Sequence, residues 1–532
     1  MSKKNIVLVV HANQGYIRPM EGNDPSINEP LFTAISETYL PLLRMMTRLD
    51  ADRIPFRLGL VLSAPLCSLL CDSLIQRKYI EWVDARISLG EKEIKRCAKN
   101  KSLLAQAESC LEKAKQDKID FTETYSPNLV DHFRAFAELG YIELIATCGT
   151  YAFLPHYSDL TEAVNAQVET GIYAQRYFFG ESGEGFWLPY KGFAAGTEQV
   201  LRSYGMNYTI VDARSLLFTE NPVPTGIFAP VRCDNSLVLF GSDSDKSYLS
   251  YCRNSAYRCQ QKDIGFELSA SDLSSFLKEG EGRIQTLCKY WANGELDEYE
   301  DEDSDSCERP VYDAASAREQ AASDAKTFYD AKCQVLEEAA RQMGEEDATL
   351  VCTFDAEYLG QTWFEGIDWL EALIRLISKD NILSLELCRN LIQAQFSLPK
   401  TSVYPCAENG TGYGEDLLDS KNSWMQLYLR VATERMIDLT ERFPSETGLK
   451  ARLLNLGSRE LLLAQSGEWP QMLHDGKLPD YVSNAFTFQV LNFTRVFDSL
   501  ASNSVSTEWL TGMEKKHPVF PWMNYKIFAR KK

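Results

Sequence analysis

The stretch from which the fold can be read is Gly185-Phe186-Trp187-Leu188-Pro189-Tyr190-Lys191-Gly192-Phe193. It is apolar and aromatic, and a proline interrupts it. Short apolar runs are typical of buried strands, and a proline ends such a run because it cannot donate to the strand ladder. The pattern predicts a strand that stops at Pro189, with the side chain of Tyr190 turned into a cleft. The simpler interpretation is a strand end with packed aromatic side chains and no functional role.

Similar runs recur along the chain and alternate with helical patterns. Residues 5–10 and 57–63 are apolar and rich in β-branched or aliphatic side chains, as in strands that are buried on both faces of a parallel sheet. Between them, apolar side chains repeat at helical spacing from Leu31 to Met46, and Pro41 predicts a kink or break in that helix. A strand, a helix and a second strand in this order predict right-handed βαβ units. Further strands are predicted at 142–147, 208–212 and 349–354.

The remaining segments predict two insertions and a second, helical unit. Residues of about 70–128 carry long helical patterns rich in Lys, Glu and Ala, which indicate a helical insertion. Residues of about 213–310 are rich in loop signals and include the acidic run 297–305, whose like charges repel one another. The loop at 401–416 is a natural boundary, and the pattern after it is helical. We therefore expect an α/β unit over residues 1–400 and an all-α unit over residues 401–532.

Composition excludes several classes of partner and site. The 532 residues carry a formal net charge of −20, which argues against nucleic acid or an anionic membrane as a partner. The apolar run at 5–10 is too short for a signal peptide, and no run approaches the ~20 residues of a membrane span. The 14 cysteines form no Cys-x-x-Cys pair and the five histidines show no ligand spacing. We therefore expect reduced thiols in a cytoplasmic protein, with no metal and no cofactor.

An ordered series of motifs resembles glycoside hydrolase family 57, and within it the branch of α-1,4-glucan branching enzymes. The resemblance runs essentially end to end, and its motifs are His11-Ala12 with Tyr16 and Arg18, Leu31 to Ile35 with Thr38-Tyr39, Glu143-Leu144-Ile145 with Phe153-Leu154-Pro155, Phe354 to Gly360 with Trp363 to Gly366, Asn422-Ser423-Trp424, and Arg459 to Trp469. It implies an incomplete (β/α)7 barrel with helical insertions over residues 1–400. It also implies an all-α C-terminal domain over residues 401–532 that closes a cleft, with an α-glucan or another neutral carbohydrate as partner.

The resemblance assigns catalytic positions, and one of them is substituted. Family members read Trp-Leu-Pro-Glu, or a near relative, where this chain has Trp187 to Tyr190, and that Glu is the nucleophile. Asp355 matches the acid/base residue, although its simpler interpretation is an Asp that caps the following turn. Retaining glycoside chemistry needs two carboxyl groups about 5–5.5 Å apart. A phenol with a pKa near 10 is poorly ionised at pH 7 and is a weak substitute for a carboxylate.

Other departures from the family pattern also lie at the expected cleft. Asn13, Tyr151 and Gln361 each stand where the family has a His, and Pro30 stands where branching enzymes have a Trp. No Trp occurs between Trp369 and Trp424, where branching enzymes place substrate-stacking rings, and such losses weaken sugar binding. The substrate-binding positions implied by the resemblance, substituted ones included, are His11, Asn13, Tyr16, Tyr151, Trp187, Asp212, Gln361, Trp363, Trp424 and Trp469.

Another carboxylate could replace the missing one. Tyrosine nucleophiles occur in sialidases, where a neighbouring carboxylate activates them. Here that carboxylate would have to be Asp212 or Glu184, although Glu184 is predicted at the far end of its strand. Glu357 would point away from Asp355 in an extended segment, whereas a turn would change its direction.

Three functional hypotheses follow. The first is a catalytically impaired family member that binds glucan or a partner. The second is an active α-glucan transferase or hydrolase that uses Asp355 with a rewired nucleophile. The third is a scaffold that acts through the run 297–305 or the C-terminal helices. The sequence leaves the oligomeric state open.

Overall fold

The computed structural model of the protein describes residues 3–18, 25–99, 101–125, 127–253, 312–344, 346–393 and 395–531. Residues 254–310 of the predicted insertion 213–310, which include the acidic run 297–305, lie outside these residues. No helix within the described part of the chain has the length and apolar character needed to cross a membrane.

One curled sheet forms the centre of the molecule. Its strands are β1 (Lys4–Ala12), β2 (Leu58–Leu62), β3 (Ile142–Thr147), β4 (Gly185–Trp187), β5 (Tyr208–Val211), β6 (Val231–Arg232), β7 (Val238–Gly241), β8 (Ala348–Asp355) and β9 (Ser384–Leu385). They are ordered β6-β7-β5-β4-β3-β2-β1-β8, and β9 pairs with β1. All the pairings are parallel except that of β6 with β7. The predicted strands are therefore confirmed, and β4 is the short strand that stops before Pro189.

The sheet curls almost into a closed barrel. Beyond β7, Ser242 forms an isolated parallel pairing with Val351 of β8, and the backbone N–H of Asp243 donates to the carbonyl of Val351 at 2.7 Å. The expected incomplete (β/α)7 barrel is confirmed, because seven parallel strands surround one core and the last junction is a single bridge.

Helices cover the barrel and build the insertion. Those around the barrel are Glu29–Ala34, Leu40–Ala51, Ala64–Leu70, Leu129–Glu138, Thr161–Phe179, Thr197–Ser203, Ala213–Leu217, Ala314–Gln342, Gly366–Asp380 and Cys388–Leu391. The insertion contributes Ser73–Cys97 and Lys101–Ile119. Shorter 3-10 and π turns are Pro25–Asn28, Ile35–Tyr39, Asp120–Thr124, Leu154–Tyr157, Pro189–Lys191, Ser247–Arg253, Gln395–Ser397, Glu415–Leu417 and Tyr525–Phe528.

Pro41 does not break its helix. The segment Glu29–Ala34 continues through a wide π turn, Ile35–Tyr39, into Leu40–Ala51. Proline lacks the N–H of a normal helical turn and crowds the carbonyl of the preceding turn. A π bulge just before the proline accommodates both effects and keeps the chain helical.

The C-terminal region is helical and is fixed to the barrel by buried hydrogen bonds. Its helices are Trp424–Arg442, Gly448–Ala464, Glu468–His474, Pro479–Ala501 and Thr507–Lys516. The Thr150 hydroxyl donates to the carbonyl of Leu462 at 2.6 Å, and the Gln167 amide donates to Gln465 at 3.0 Å. Because such bonds between buried groups fix orientation, the turn Gln465 to Glu468 is held at the carboxyl ends of the strands.

Candidate active site

A cleft of about 750 Å³ opens where the parallel strands end. It is lined by His11 and Asn13 after β1, Tyr151 after β3, Tyr190 after β4 and Asp355 at the end of β8. Gln361 also lines it, as do residues of the C-terminal region that include Glu408 and Glu468. Carboxyl ends of parallel strands meet at one edge of a barrel, which explains why residues so distant in sequence share this cleft.

Tyr190 occupies a strained turn after β4. Tyr190 and Lys191 both have left-handed backbones, with φ of 55° and 50°, and Tyr151 across the cleft has φ of 53°. Non-glycine residues adopt this conformation at a cost of about 1–3 kcal/mol each, and such residues cluster at functional sites. The Tyr190 ring packs edge-on against Tyr151, at a centroid distance of 5.3 Å, and against Phe153 at 6.2 Å.

The surroundings of the Tyr190 hydroxyl do not favour its ionisation. It is buried, and no hydrogen-bond partner for it exists among the residues that the structure describes. Burial, followed by the charge of Glu468, raises the pKa of this phenol well above its ordinary value. A nucleophilic tyrosine needs a neighbouring base, and this one would instead be desolvated and neutral.

The carboxylates predicted to assist Tyr190 are engaged elsewhere. Asp212 accepts hydrogen bonds from Arg214, from the backbone N–H at 3.0 Å and from Nε at 2.8 Å. Glu184 accepts from the Asn207 amide at 2.8 Å. Neither residue is among those that line the cleft.

Asp355 lies in the cleft and also caps the turn that follows it. It is exposed at the end of β8, opposite His11 in the register of β1 and β8. Its Oδ1 accepts the backbone N–H groups of Glu357 at 2.8 Å and Tyr358 at 3.0 Å, so it caps the following turn. The turn also brings Glu357 to the cleft, where an extended segment would have turned it away.

Lys191 and Glu408 form an ion-pair network that sequence reasoning missed. The Lys191 ammonium is 1% exposed and donates to the Thr353 hydroxyl at 2.9 Å and to Glu408 Oε1 at 3.1 Å. Lys246 contacts the same oxygen at 2.6 Å, and the Glu408 N–H donates to the carbonyl of Tyr190 at 2.7 Å. Burial alone would raise the pKa of Glu408, but the two ammonium groups outweigh it and hold that pKa well below its usual range.

Glu468 was also missed, although it lies within a quoted motif. It begins the helix Glu468–His474, and its Oε1 accepts a hydrogen bond from the Asn13 amide. Burial, followed by the charge of Asp355, raises the pKa of Glu468 to about 7. Burial and the charges of Asp355 and Glu468 likewise raise the pKa of Glu357 well above its usual value. The sequence signal that could have identified Glu468 is its position as an acidic residue directly before Trp469, which the structure buries.

His11 is held in a neutral, stacked position. Its ring lies on Trp187 with a centroid distance of 4.7 Å, and its Nδ1 is 3.5 Å from the Tyr151 hydroxyl. The Trp187 Nε1 donates to the same hydroxyl at 3.1 Å. Burial lowers the pKa of His11, although the nearby Asp355 charge opposes this shift.

The other expected binding residues lie away from the cleft. Tyr16 and Trp469 border a separate hollow of about 290 Å³, and the Trp469 indole donates to the carbonyl of Leu463 at 2.9 Å. Trp363 is fully buried in the apolar cluster between the sheet and its helices. Trp424 lies in an apolar groove between the helices Trp424–Arg442 and Pro479–Ala501. Within the described residues, no group of His, Cys, Asp and Glu is arranged to hold a metal ion.

Comparisons with known proteins agree with this architecture. A glycosyl hydrolase family 57 model matches residues 7–405, and a model for the C-terminal region of 1,4-α-glucan branching enzymes matches residues 428–528. A 1,4-α-glucan branching enzyme of Thermococcus kodakarensis is 23% identical over 94% of this chain and 74% of its own length.

Solved structures give the same result. The α-amylase AmyC from Thermotoga maritima superposes with a TM-score of 0.89 at 27% identity, over 100% of both chains. A GH57-type branching enzyme from Pyrococcus horikoshii superposes with a TM-score of 0.84 at 20% identity, over 99% of this chain and 97% of its own. With a family model matched across most of its length, the chain belongs to glycosyl hydrolase family 57.

Proposed function

We propose that this protein binds α-glucan chains in the cleft and is impaired in the retaining chemistry of its family. One observation carries the proposal: the residue at the nucleophile position, Tyr190, has a buried hydroxyl with no hydrogen-bond partner among the described residues. A carboxylate at this position would form the glycosyl-enzyme, and a neutral phenol would not.

The dimensions and lining of the cleft support a sugar ligand. Its volume of about 750 Å³ falls within the range of small-molecule sites. Side-chain amides, carboxyls and hydroxyls line it together with aromatic rings, including those of Tyr248 and Tyr358. Polar groups can bond sugar hydroxyls while rings pack on sugar faces. The relatives are named as an amylase and branching enzymes, which favours α-glucan as the class of ligand.

The charge beside Tyr190 supports impairment. Glycosidases stabilise a cationic, oxocarbenium-like transition state with carboxylates. Here a Tyr removes one negative charge, and the next residue, Lys191, adds a buried ammonium. With Lys246, two cations face the single carboxylate of Glu408, so this wall of the cleft is net positive. A positive wall raises the energy of a developing cation.

The proposal is tested by binding and turnover with the purified protein. We expect glycogen or amylose embedded in a native gel to retard the protein, while reducing ends and iodine staining change far more slowly than with an active relative. Absence of retardation would overturn the binding claim, and rapid turnover would overturn the impairment. We also expect a cytoplasmic protein, because its described cysteines are free thiols.

A second candidate is an α-glucan hydrolase or transferase that uses Asp355 with another carboxylate. The observation in its favour is Glu468, which lines the same cleft as Asp355 and follows Gly467, a residue packed against the ring of Tyr190.

A further inference from the structure

We propose that Glu468 is a relocated catalytic carboxylate, which acts with Asp355 in slow hydrolysis of the bound glucan. The inference rests on the proposed function, because a glucan chain must first occupy the cleft. It assigns a reaction step to a residue of the C-terminal region instead of the barrel strand that carries Tyr190.

Glu468 lies next to the lost nucleophile position. Its neighbour Gly467 is so close to Tyr190 that a Cβ added there would lie 2.7 Å from Cε2 and 3.1 Å from the hydroxyl of that ring. The chain at 467–468 therefore contacts the side chain that replaces the family's carboxylate. Glu468 and Tyr190 both line the cleft, and the charge of Glu468 is felt by the Tyr190 phenol.

Asn13 holds Glu468 at the carboxyl ends of β1 and β8. The Asn13 amide donates to Glu468 Oε1, whereas the Oδ1 of Asn13 is buried with no partner in the part of the chain that the structure describes. Asn13 follows β1, and β1 pairs with β8 so that His11 is opposite Asp355. Glu468 is therefore oriented by the residue that follows one strand, and it shares the cleft with the carboxylate at the end of the neighbouring strand.

The surroundings of Glu468 suit proton transfer at neutral pH. Its pKa of about 7 comes from burial and from Asp355, and the Asn13 hydrogen bond and Lys477 oppose the shift. A general acid is most effective when its pKa is near the working pH, and the ionised Asp355 that raises this pKa is available as the base. The charged and titratable groups around it are Asp355 and Glu357 after β8, Tyr39, Tyr151 and Tyr190 from the barrel, and Asp475 and Lys477 beyond its own helix.

The step is a single displacement by water. Glu468 donates a proton to the glycosidic oxygen as the bond from that oxygen to C1 breaks. The oxygen of a water molecule bonds to C1, and Asp355 accepts the proton that the water loses. Proton exchange with solvent returns the pair to its starting state, so one glycosidic bond and one water give two chain ends. Attack opposite the leaving group inverts the anomeric carbon, and the α-linked chain yields a β-anomer first.

The test follows anomers released from a maltooligosaccharide by proton NMR, with native-gel retardation by glycogen measured in parallel. We expect slow release of β-anomer by the unmodified protein, and a loss of at least about 100-fold in Glu468→Gln with retardation unchanged. Glu468→Asp, which keeps a carboxylate, should retain part of the rate. The control is Glu181→Gln, an exposed residue that precedes β4 at the far end of the barrel, and it should have no effect.

Each other outcome has a defined meaning. Turnover in Glu468→Gln within about threefold of the unmodified protein overturns the inference, because a general acid contributes at least about 100-fold. Release of α-anomer first, or glucan binding without any release, overturns it as well while leaving the proposed function intact. Loss of retardation in the unmodified protein refutes the proposed function itself.

Discussion

The carboxyl groups on two walls of the cleft have pKa values that are shifted in opposite directions. On the wall of Tyr190, the carboxylate of Glu408 lies between the ammonium groups of Lys191 and Lys246. On the wall of Asp355, the carboxyl groups of Glu357 and Glu468 face another carboxylate, and Glu468 accepts a hydrogen bond from Asn13. The pKa of Glu408 is consequently held well below its usual range, whereas that of Glu468 is raised to about 7.

This contrast shows where proton chemistry is feasible. A carboxylate paired with two ammonium groups stays ionised and has little charge to offer a developing cation. A buried carboxyl group beside a second carboxylate gains and loses its proton near neutral pH, as acid/base catalysis requires. On our proposal, the wall that carries the family nucleophile has a structural role here, and the reactive carboxyl groups lie on the other wall.

The largest effect should follow from breaking the structural wall at Lys191. Lys191→Met leaves Glu408 with one cation and the Thr353 hydroxyl without its donor, and loss of a buried ion-pair partner costs about 3 kcal/mol. Urea denaturation gives the free energy of unfolding directly. The control is Lys246→Met, which removes a cation whose side chain is 38% exposed and should cost less than about 1 kcal/mol. Equal losses in the two variants would contradict a buried, structural role for Lys191.

Restoring a carboxylate on that wall is the next test. Tyr190→Glu places the family's side chain in the same cleft as Asp355. We expect the rate of reducing-end release from amylose to rise by about 10-fold, which corresponds to an activation barrier lower by about 1.4 kcal/mol. Lys191 limits the gain because its ammonium competes for the new charge. Tyr190→Gln has the same shape without the charge and should give no gain. If Tyr190→Glu and Tyr190→Gln are equally slow, replacement of the nucleophile is not the only cause of the low turnover, and the prediction is wrong.

The sequence predicted the barrel well because its strands are continuous apolar runs whose ends carry polar motifs. β1, β4 and β8 were each recognisable in this way, and the residues after them do meet at the cleft. The π turn at Ile35–Tyr39 could not be predicted from the sequence. Pro41 indicates only that the helical hydrogen bonding must change near it, and not the form of that change.

The candidate site was predicted only in part. His11, Asn13, Tyr151, Tyr190, Asp355 and Gln361 line the cleft, whereas Tyr16 and Trp469 border another hollow and Trp363 is in the core. Glu408 and Glu468 belong to the C-terminal region, and spacing along the chain carries no information about contacts made across 200 or more residues. Lys191 belongs to the stretch 185–193, but its role follows only from the buried ion pair that it forms with Glu408 in the structure.

Removing the orphaned hydroxyl should make the structural wall more stable. A buried polar group without a hydrogen bond costs about 1–3 kcal/mol, so Tyr190→Phe should raise the free energy of unfolding by about 1 kcal/mol. Tyr151→Phe is the matched control, because the Tyr151 hydroxyl accepts from Trp187 and its loss should lower stability by a similar amount. The prediction fails if Tyr190→Phe is as destabilising as Tyr151→Phe, since the Tyr190 hydroxyl would then have a partner.

The smallest expected effect is the contribution of Glu468 to the pH dependence of the free energy of unfolding. The pKa of Glu468 is about 7 in the folded protein, above its ordinary value, so the folded state binds more protons than the unfolded state between the two pKa values. The contribution of Glu468 to stability is therefore present below the unfolded pKa and declines as pH rises through about 7. We expect Glu468→Gln, compared with Glu181→Gln, to flatten the fall in unfolding free energy between about pH 5 and pH 7 by roughly 1 kcal/mol. An unchanged slope in Glu468→Gln would mean that Glu468 titrates normally and that the two walls do not differ in the way described.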